Sequence, residues 1–219
     1  EAVSIGVKSV KLNYINEPML RKDLEEAIAY AKAAGILNVY LTTNGSLLNE
    51  KRRRSMLASG ITKVFISLDT VTPETYQRMR LNGLFDRVVQ NILDFIKLRN
   101  ESGLRYPLVR VNFLRTQINK HEEQAFREFW EERADFIAFQ DMNDLPGEDT
   151  GLRVRDDGVP EGFRCSFPFK QLVVDHEGDI LPCCKMGGKG MRLGNVSDMS
   201  LLEAWRSESM AQLHRIHAE

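Results

Sequence analysis

The chain has 219 residues, a formal net charge of −1 and 42% hydrophobic residues. This length allows one large domain with a small appendage, and the hydrophobic content can fill a core. The near-zero charge disfavours nucleic acid and anionic membranes as partners, and no apolar run approaches the roughly 20 residues that span a bilayer. No secretory signal is recognised, so these features predict a cytoplasmic protein. Because residue 1 is Glu1 and not methionine, we expect the natural chain to begin earlier.

Strand-like and helix-like segments alternate along the first two thirds of the chain. The predicted strands are 7–14, 38–43, 63–69, 108–114 and 136–140. Apolar residues at helical spacing, capping residues and stop signals predict helices at 19–34, 47–59, from 72 onward, 85–102 and 121–133. This alternation implies right-handed βαβ units. We therefore predict an α/β fold, a partial (β/α)6-type parallel barrel, whose ligands bind at the carboxyl ends of the strands.

The last third of the chain has a different composition. Residues 146–162 are rich in proline, glycine and charge, which predicts a linker between a domain at 1–145 and a small module at 163–219. In the module, 171–175 and 179–182 read as two strands joined by a turn at Glu177-Gly178. We expect a helix from about residue 201 to 218 to follow this hairpin.

All three cysteines of the chain lie in the module, at Cys165, Cys183 and Cys184. Thiolates gathered by a short hairpin suit a thiophilic metal, either zinc or iron–sulfur. A disulfide is disfavoured, because three cysteines leave one over and nothing points to secretion. His214 and His217 share one face of the last helix, which we interpret as a solvated face and not a metal site.

Polar residues follow three of the predicted strands and could bind a ligand there. They are Asn16 and Glu17, then Thr43 and Asn44, then Ser67 and Asp69 with Arg80 about three helical turns further on. Taken singly, each set is also typical of turns and helix caps. The later strands end near Asn112, Gln140 and Asp141, which we interpret as ordinary polar strand-end residues that could also face a substrate.

In this order the segments resemble the radical S-adenosylmethionine (SAM) superfamily. Residues 13–18 resemble its "GGEP" motif, 41–45 its "TNG" element, and 66–69 with Arg80 its "SlD…R" element. The spacing C-x12-G-x4-C from Cys165 to Cys183, followed by L-G-N-V and S-L-L-E-A-W, resembles the SPASM or twitch auxiliary-cluster module. Residues 72–91 and 110–112 resemble a bacterial subgroup of such proteins, some of them encoded beside carbohydrate genes.

This resemblance implies a radical SAM oxidoreductase that cleaves SAM reductively and removes a hydrogen atom from a carbohydrate or peptide substrate. It implies a [4Fe–4S] cluster, SAM, an auxiliary iron–sulfur cluster and an electron donor such as flavodoxin or ferredoxin. Carried over by position, it assigns Glu17 to the SAM ammonium, Arg80 to its carboxylate, and Ser67 and Asp69 to the ribose. Asn16, Thr43 and Asn44 complete the SAM-binding set, with Asn44 toward the nucleoside. The auxiliary cluster falls to Cys165 and Cys183, with Cys184 as a further candidate.

The sequence departs from the family pattern in three places. The C-x3-C-x2-C loop that holds the SAM-cleaving cluster is not in the chain, and we expect it upstream of Glu1. Asn16 stands where the motif has its second glycine, and we expect it to take the positive φ that asparagine tolerates. The subgroup's further C-x2-C is also absent, and we expect it beyond Glu219. No catalytic residue is assigned, and the alternative is a degenerate barrel with a structural zinc clip that acts as a binding or scaffold module.

Overall fold

The computed structural model describes residues 1–81, 83–142, 144, 149–154, 161–184 and 189–218. The chain divides into two compact units. The first, which we call the sheet unit, is Lys8–Arg155; the second, the cysteine unit, combines Glu1–Val7 with Asp156–Glu219. Most of the predicted linker at 146–162 lies outside the described residues.

Five strands form a wholly parallel sheet in the sheet unit, in the order in which they occur along the chain. They are β1 (Ser9–Lys11), β2 (Asn38–Thr43), β3 (Lys63–Ser67), β4 (Leu108–Arg115) and β5 (Phe136–Asp141). The helices between them are α1 (Leu24–Ala33), α2 (Glu50–Ala58), α3 (Pro73–Met79), α4 (Phe85–Glu101) and α5 (Glu123–Trp130). The predicted α/β class with a parallel sheet is confirmed, because every neighbouring pair of these strands is parallel.

The two faces of this sheet differ in burial. On one face the alternate strand residues are apolar and fully buried, and Phe113 of β4 packs against Phe126 of α5 at 4.9 Å between ring centroids. We call the other side the open face, because most of its side chains are only half-buried. In β2, β3 and β4 the open-face residues are Asn38, Tyr40, Thr42, Lys63, Phe65, Ser67, Leu108, Arg110, Asn112 and Leu114.

The first strand is shorter than the predicted 7–14, and its end explains why. Backbone pairing with β2 stops at Leu12, whose N–H donates to Tyr40 O at 2.9 Å. At the next step the Asn13 side chain replaces the backbone, because its Oδ1 accepts from Thr42 N at 2.8 Å. The chain then turns away through a 3-10 turn, Pro18–Leu20, before α1 begins.

The cysteine unit contains a small antiparallel sheet of β6 (Val173–Val174), β7 (Asp179–Leu181) and β8 (Gly194–Asn195). The predicted hairpin corresponds to β6 and β7. Asp175 organises its turn, since Oδ1 accepts from both Glu177 N and Asp179 N at 2.9 Å. Gly178 has φ +83°, and a Cβ there would lie 3.1 Å from the Asn195 side chain, so the turn requires glycine.

The predicted single helix over 201–218 is wrong, because the structure has two helices there. They are α6 (Leu201–Trp205) and α7 (Glu208–Ala218). The break lies at Ser207, whose side chain accepts from Met210 N at 3.3 Å and so caps a new helix start. The start of α6 is bound by the N-terminal segment, since Glu1 Oε1 accepts from Leu201 N at 2.8 Å. Within the described residues, no helix has the length and hydropathy needed to cross a membrane.

Candidate functional site

Glu17 joins the carboxyl ends of β1 and β2. Its Oε1 accepts from Thr43 Oγ1 at 2.7 Å and from Met19 N at 3.1 Å, and its Oε2 accepts from Asn44 N at 2.8 Å. The structure therefore brings three of the predicted site residues, Glu17, Thr43 and Asn44, into direct contact. A carboxylate offers about four lone-pair sites, so three acceptor bonds leave room for one more N–H donor. This geometry fits an ammonium group.

Asn16 does not take the conformation predicted for it. Asp69 is the one residue other than glycine with positive φ in the part of the chain that the structure describes. Asn16 is exposed and its Oδ1 accepts from Tyr14 N at 3.2 Å, so the turn closes through an asparagine side chain and not through a left-handed backbone. Asn16 is adjacent to Glu17 in sequence, but its side chain binds the backbone of Tyr14 and not Thr43 or Asn44.

Asp69 lies two residues after the end of β3 and has a left-handed backbone, φ +70°, with only 5% of its surface exposed. The predicted strand 63–69 is too long, because β3 stops at Ser67 and Asp69 does not continue its alternation. The carboxylate instead turns sideways: Oδ1 accepts from Leu114 N at 2.9 Å and Oδ2 accepts from Arg80 Nη2 at 2.6 Å. Asp69 and Arg80, both predicted site residues, are thus joined directly, while Ser67 stays on the open face.

Arg80 retains an unused donor beside this ion pair. It lies just after α3, and its Nε is buried without a hydrogen-bond partner among the described residues. A buried N–H without an acceptor is costly, and a guanidinium fork matches a carboxylate well. The pair Asp69–Arg80 therefore fits an anionic ligand group that would accept from Arg80 Nε.

Glu122 and Asn119 were missed by the sequence reasoning, and they hold the loop after β3 in place. Glu122 accepts from the Thr70 hydroxyl, from Val71 N at 2.7 Å and from Thr72 Oγ1 at 2.5 Å. Asn119 Nδ2 donates to Asp69 O at 2.6 Å. The available sequence signal was the run Thr70-Val71-Thr72, because hydroxyls that cap a helix can also donate to a carboxylate. The carboxylate that Thr72 binds, Glu122, lies 50 residues further along the chain, so the sequence did not identify it.

The Glu122 carboxylate is kept ionised although only 4% of its surface is exposed. Burial by itself would raise its pKa, but the hydrogen bonds from Thr70, Thr72 and Thr75 and from Val71 N together hold the pKa below its ordinary value. A charged acceptor bound by this many neutral donors fixes the loop in one conformation. Asp69 and the start of α3, which leads to Arg80, are therefore held in position by the segment that follows β4.

The remaining strand-end candidates occupy different places. Asn112 is buried on the open face, where its Oδ1 accepts from Arg110 Nε at 2.8 Å. Asp141 pairs with Arg115 at 3.3 Å. The pKa of Arg115 is raised above its ordinary value by hydrogen bonds and ion pairs with Glu123 and Asp141, which outweigh the opposite effect of burial. Gln140 is exposed. A role for any of them toward a substrate stays a prediction.

The structure describes all three cysteines and shows no disulfide among them. Cys165 and Cys183 are half-buried and Cys184 is exposed. One group of three His, Cys, Asp or Glu in the described ranges has all its ligand atoms within 4.8 Å, and that group is Asp175, Glu177 and Asp179 of the hairpin turn. The three thiols do not form such a group among the described residues.

His214 and His217 pack against the cysteine segment, so their interpretation as a solvated face is wrong. The ring of His214 stacks on Phe169 with 4.6 Å between centroids, and its Nε2 lies 2.8 Å from Pro168 O. His217 Nδ1 accepts from Cys165 N at 3.4 Å. Spacing on α7 showed that the two histidines share a face, but the sequence did not show which segment that face meets.

Comparison with known proteins identifies the family. The model of the radical SAM superfamily matches residues 3–113, and that of an iron–sulfur cluster-binding domain, SPASM, matches residues 165–219. A relative named probable GTP 3′,8-cyclase, from Methanocaldococcus jannaschii, is 36% identical over 128 residues, or 58% of this chain and 40% of the relative. One of the same name from Metallosphaera sedula is 29% identical over 192 residues, or 80% of this chain and 58% of the relative. The chain thus spans about half the length of these curated relatives.

Solved structures support the fold. Streptococcus suis SuiB has a TM-score of 0.76 at 18% identity, covering 100% of this chain and 59% of that chain. BtrN in complex with AdoMet and 2-DOIA has a TM-score of 0.53 at 15% identity, covering 95% of this chain and 66% of that chain. The chain therefore belongs to the radical SAM superfamily and carries a SPASM iron–sulfur cluster-binding domain, which implies a [4Fe–4S] cluster, SAM and an auxiliary iron–sulfur cluster as its cofactors.

Proposed function

We propose that the protein is a radical SAM oxidoreductase whose sheet unit binds SAM at the carboxyl ends of β1, β2 and β3. The observation that carries this proposal is the pair of contacts at those ends, Glu17 with Thr43 and Asn44, and Asp69 with Arg80. Glu17 has room to accept one more hydrogen bond, from an ammonium, and Arg80 has a buried Nε that could donate to a carboxylate. The amino-acid end of SAM carries both groups.

The chain's own residues would bind and orient SAM. Glu17 would accept from its ammonium, Arg80 would donate to its carboxylate, and Asn44 would lie toward the nucleoside. When bound, the reduced [4Fe–4S] cluster and SAM supply reductive cleavage of the SAM carbon–sulfur bond and abstraction of a hydrogen atom from the substrate. These side chains are proposed to bind SAM, and we assign no side chain a role in transferring a proton to or from the substrate.

Cys165 and Cys183, with Cys184 as a further candidate, would ligate the auxiliary cluster. The match of the iron–sulfur cluster-binding domain begins at Cys165, which supports this assignment over a zinc clip. An auxiliary cluster would accept the electron that the substrate loses after hydrogen-atom removal, or would bind the substrate directly. An electron donor such as flavodoxin or ferredoxin would reduce the SAM-cleaving cluster.

For the substrate we propose a small molecule or a peptide held over the open face. The fold neighbours include SuiB bound to the precursor peptide SuiA and BtrN bound to 2-DOIA, and the sequence relatives are named for a reaction of GTP. A nucleotide therefore joins carbohydrate and peptide as a candidate class.

The test is SAM cleavage by the anaerobic, cluster-loaded holoenzyme with dithionite, followed as 5′-deoxyadenosine by mass spectrometry. We expect formation in the wild type and a SAM affinity about 10- to 100-fold weaker in Glu17→Gln, because the ammonium loses a charged acceptor. Asp135→Asn is the matched control, since Asp135 is a carboxylate that binds Arg99 and Val109 N at the amino end of β4. No 5′-deoxyadenosine from an iron-loaded wild type would refute the proposal.

A further inference from the structure

Arg110 lies in the middle of β4 on the open face, held in a fixed orientation. Its Cζ is 3.6 Å from the centroid of the Phe65 ring, on the neighbouring residue of β3, and its Nε donates to Asn112 Oδ1 at 2.8 Å. Stacking on a ring and a hydrogen bond to Nε leave the two terminal nitrogens of the guanidinium directed away from both partners.

The charge of Arg110 is partly desolvated but not neutralised. Burial lowers the pKa of Arg110, and no carboxylate among the described residues counteracts this by pairing with the guanidinium. Five other arginines of the sheet unit with at most 29% side-chain exposure each pair with a carboxylate. They are Arg52, Arg53, Arg80, Arg99 and Arg115. Arg110 differs from all of these, and an uncompensated buried charge is costly.

The surrounding surface carries the same sign of charge. Lys63 is also on the open face, two residues before Phe65 on β3. None of the ten open-face residues of β2, β3 and β4 is aspartate or glutamate, and all ten are described. A surface whose described strand residues include cations and no anions favours an anionic ligand.

We propose that Arg110 binds an anionic group, a carboxylate or a phosphate, of the substrate. This inference rests on the proposed function, because it names the substrate class of the same site. Asn112 is directly opposite Ser67 in the strand register, and Arg110 precedes Asn112 by two residues. The anionic group would therefore lie about 7 Å along the strands from the SAM-binding ends.

Three matched pairs of probes test the proposal and separate the sources of the anion. They are GTP with guanosine, D-glucuronate with D-glucose, and an aspartate-containing peptide with its asparagine counterpart. Binding of each to the SAM-loaded holoenzyme is measured by calorimetry. We expect at least one anionic member to bind about 10- to 100-fold more tightly than its neutral partner, and this preference to shrink as ionic strength rises.

Arg110→Met should abolish this preference, and Arg110→Lys should retain part of it, because lysine keeps the charge without the planar fork. Arg127→Met is the matched control: Arg127 also lies over an aromatic ring, Phe139, at 4.5 Å, but it is exposed on α5. The control should keep the preference.

An absence of charge preference in all three pairs would overturn the proposal, and so would its survival in a folded Arg110→Met. If Arg110→Met does not fold, the Arg110→Lys variant is the test. An affinity equal to that of the wild type for every probe would show that the guanidinium of Arg110 does not bind the anionic group. SAM cleavage by the wild type is measured in parallel, so that a failure of the proposed function is recognised separately.

Discussion

The sheet unit and the cysteine unit differ in what stabilises them. Large side chains such as Trp130, Phe95, Phe113 and Phe126 are fully buried in the sheet unit. In the described part of the cysteine unit the buried apolar residues are Pro168, Ile180, Leu181, Pro182, Ala204 and Met210. A small unit with so few core residues needs another source of stability, and a cluster bound by thiolates would provide it. The comparison therefore predicts that the auxiliary cluster stabilises the cysteine unit in addition to any role in the reaction.

The largest predicted effect is that of removing the auxiliary cluster. Chelation, or Cys165→Ser with Cys183→Ser, should unfold the cysteine unit while the sheet unit stays folded. Hydrogen exchange read by mass spectrometry should show near-complete loss of protection in β7 and α7 and no change in β2 and β4. Retained protection in β7 after cluster loss would show that the small core is sufficient.

Asp69→Ala should have the next largest effect, about 4 kcal/mol on the free energy of unfolding of the sheet unit. It leaves Arg80 without its partner and Leu114 N buried without an acceptor. Asp69→Asn is the matched variant, because asparagine tolerates positive φ and can still accept from Leu114 N. Urea unfolding followed by fluorescence of Trp130, in a Trp205→Phe background, measures both. Equal losses for alanine and asparagine would contradict this explanation.

Glu122→Gln should destabilise the sheet unit by about 2 kcal/mol, because the amide loses one acceptor oxygen and the charge. It should also flatten the pH dependence of stability. The folded pKa of Glu122 is lowered, so its contribution is present above the unfolded value of about 4.3 and is lost as the pH falls from there through the folded pKa.

Urea midpoints at several pH values between 3 and 7, from the same Trp130 signal, check this. Asp135→Asn provides the comparison at the opposite end of the sheet. If the urea midpoint of Glu122→Gln changes with pH below about 4.3 as steeply as that of the wild type, other carboxylates and not Glu122 cause this pH dependence.

The smallest predicted effect is that of His214→Ala, about 1 kcal/mol on the cysteine unit, from the lost stacking on Phe169 and the lost contact with Pro168 O. His214→Phe should recover part of it by keeping the stacked ring. Exchange protection of α7 in the cluster-loaded protein is the measurement. Faster exchange at β2 would contradict a local effect.

Local patterns predicted most of the fold. Strand β2 was predicted at its observed limits because Val39 and Leu41 alternate with half-exposed residues, and α4 because its apolar face repeats at helical spacing. The break at Ser207 was missed because Ser-Glu-Ser is compatible with both a helix interior and a cap. The end of β3 was missed because the left-handed turn at Asp69 depends on bonds from Leu114 and Asn119, which are remote in sequence.

Motif order located the candidate site, but not its contacts. Glu17, Thr43 and Asn44 were predicted individually and their mutual bonds were not, since those require the register of β1 and β2. Glu122 was invisible for a related reason. A glutamate in a polar helix start is usually solvated, and only the tertiary structure shows that three hydroxyl-bearing residues surround it.

The bond between Glu1 and Leu201 has a consequence for how the protein is made. The cysteine unit is built from two segments, one that leaves the ribosome before the whole sheet unit and one that leaves it afterwards. At typical elongation rates, 200 residues take roughly 10 to 40 s. The sheet unit therefore has time to fold first, and residues 1–7 wait for their partner. Insertion of the auxiliary cluster would then follow synthesis of the whole sheet unit, because the cysteine unit closes only when residues 201–218 have emerged.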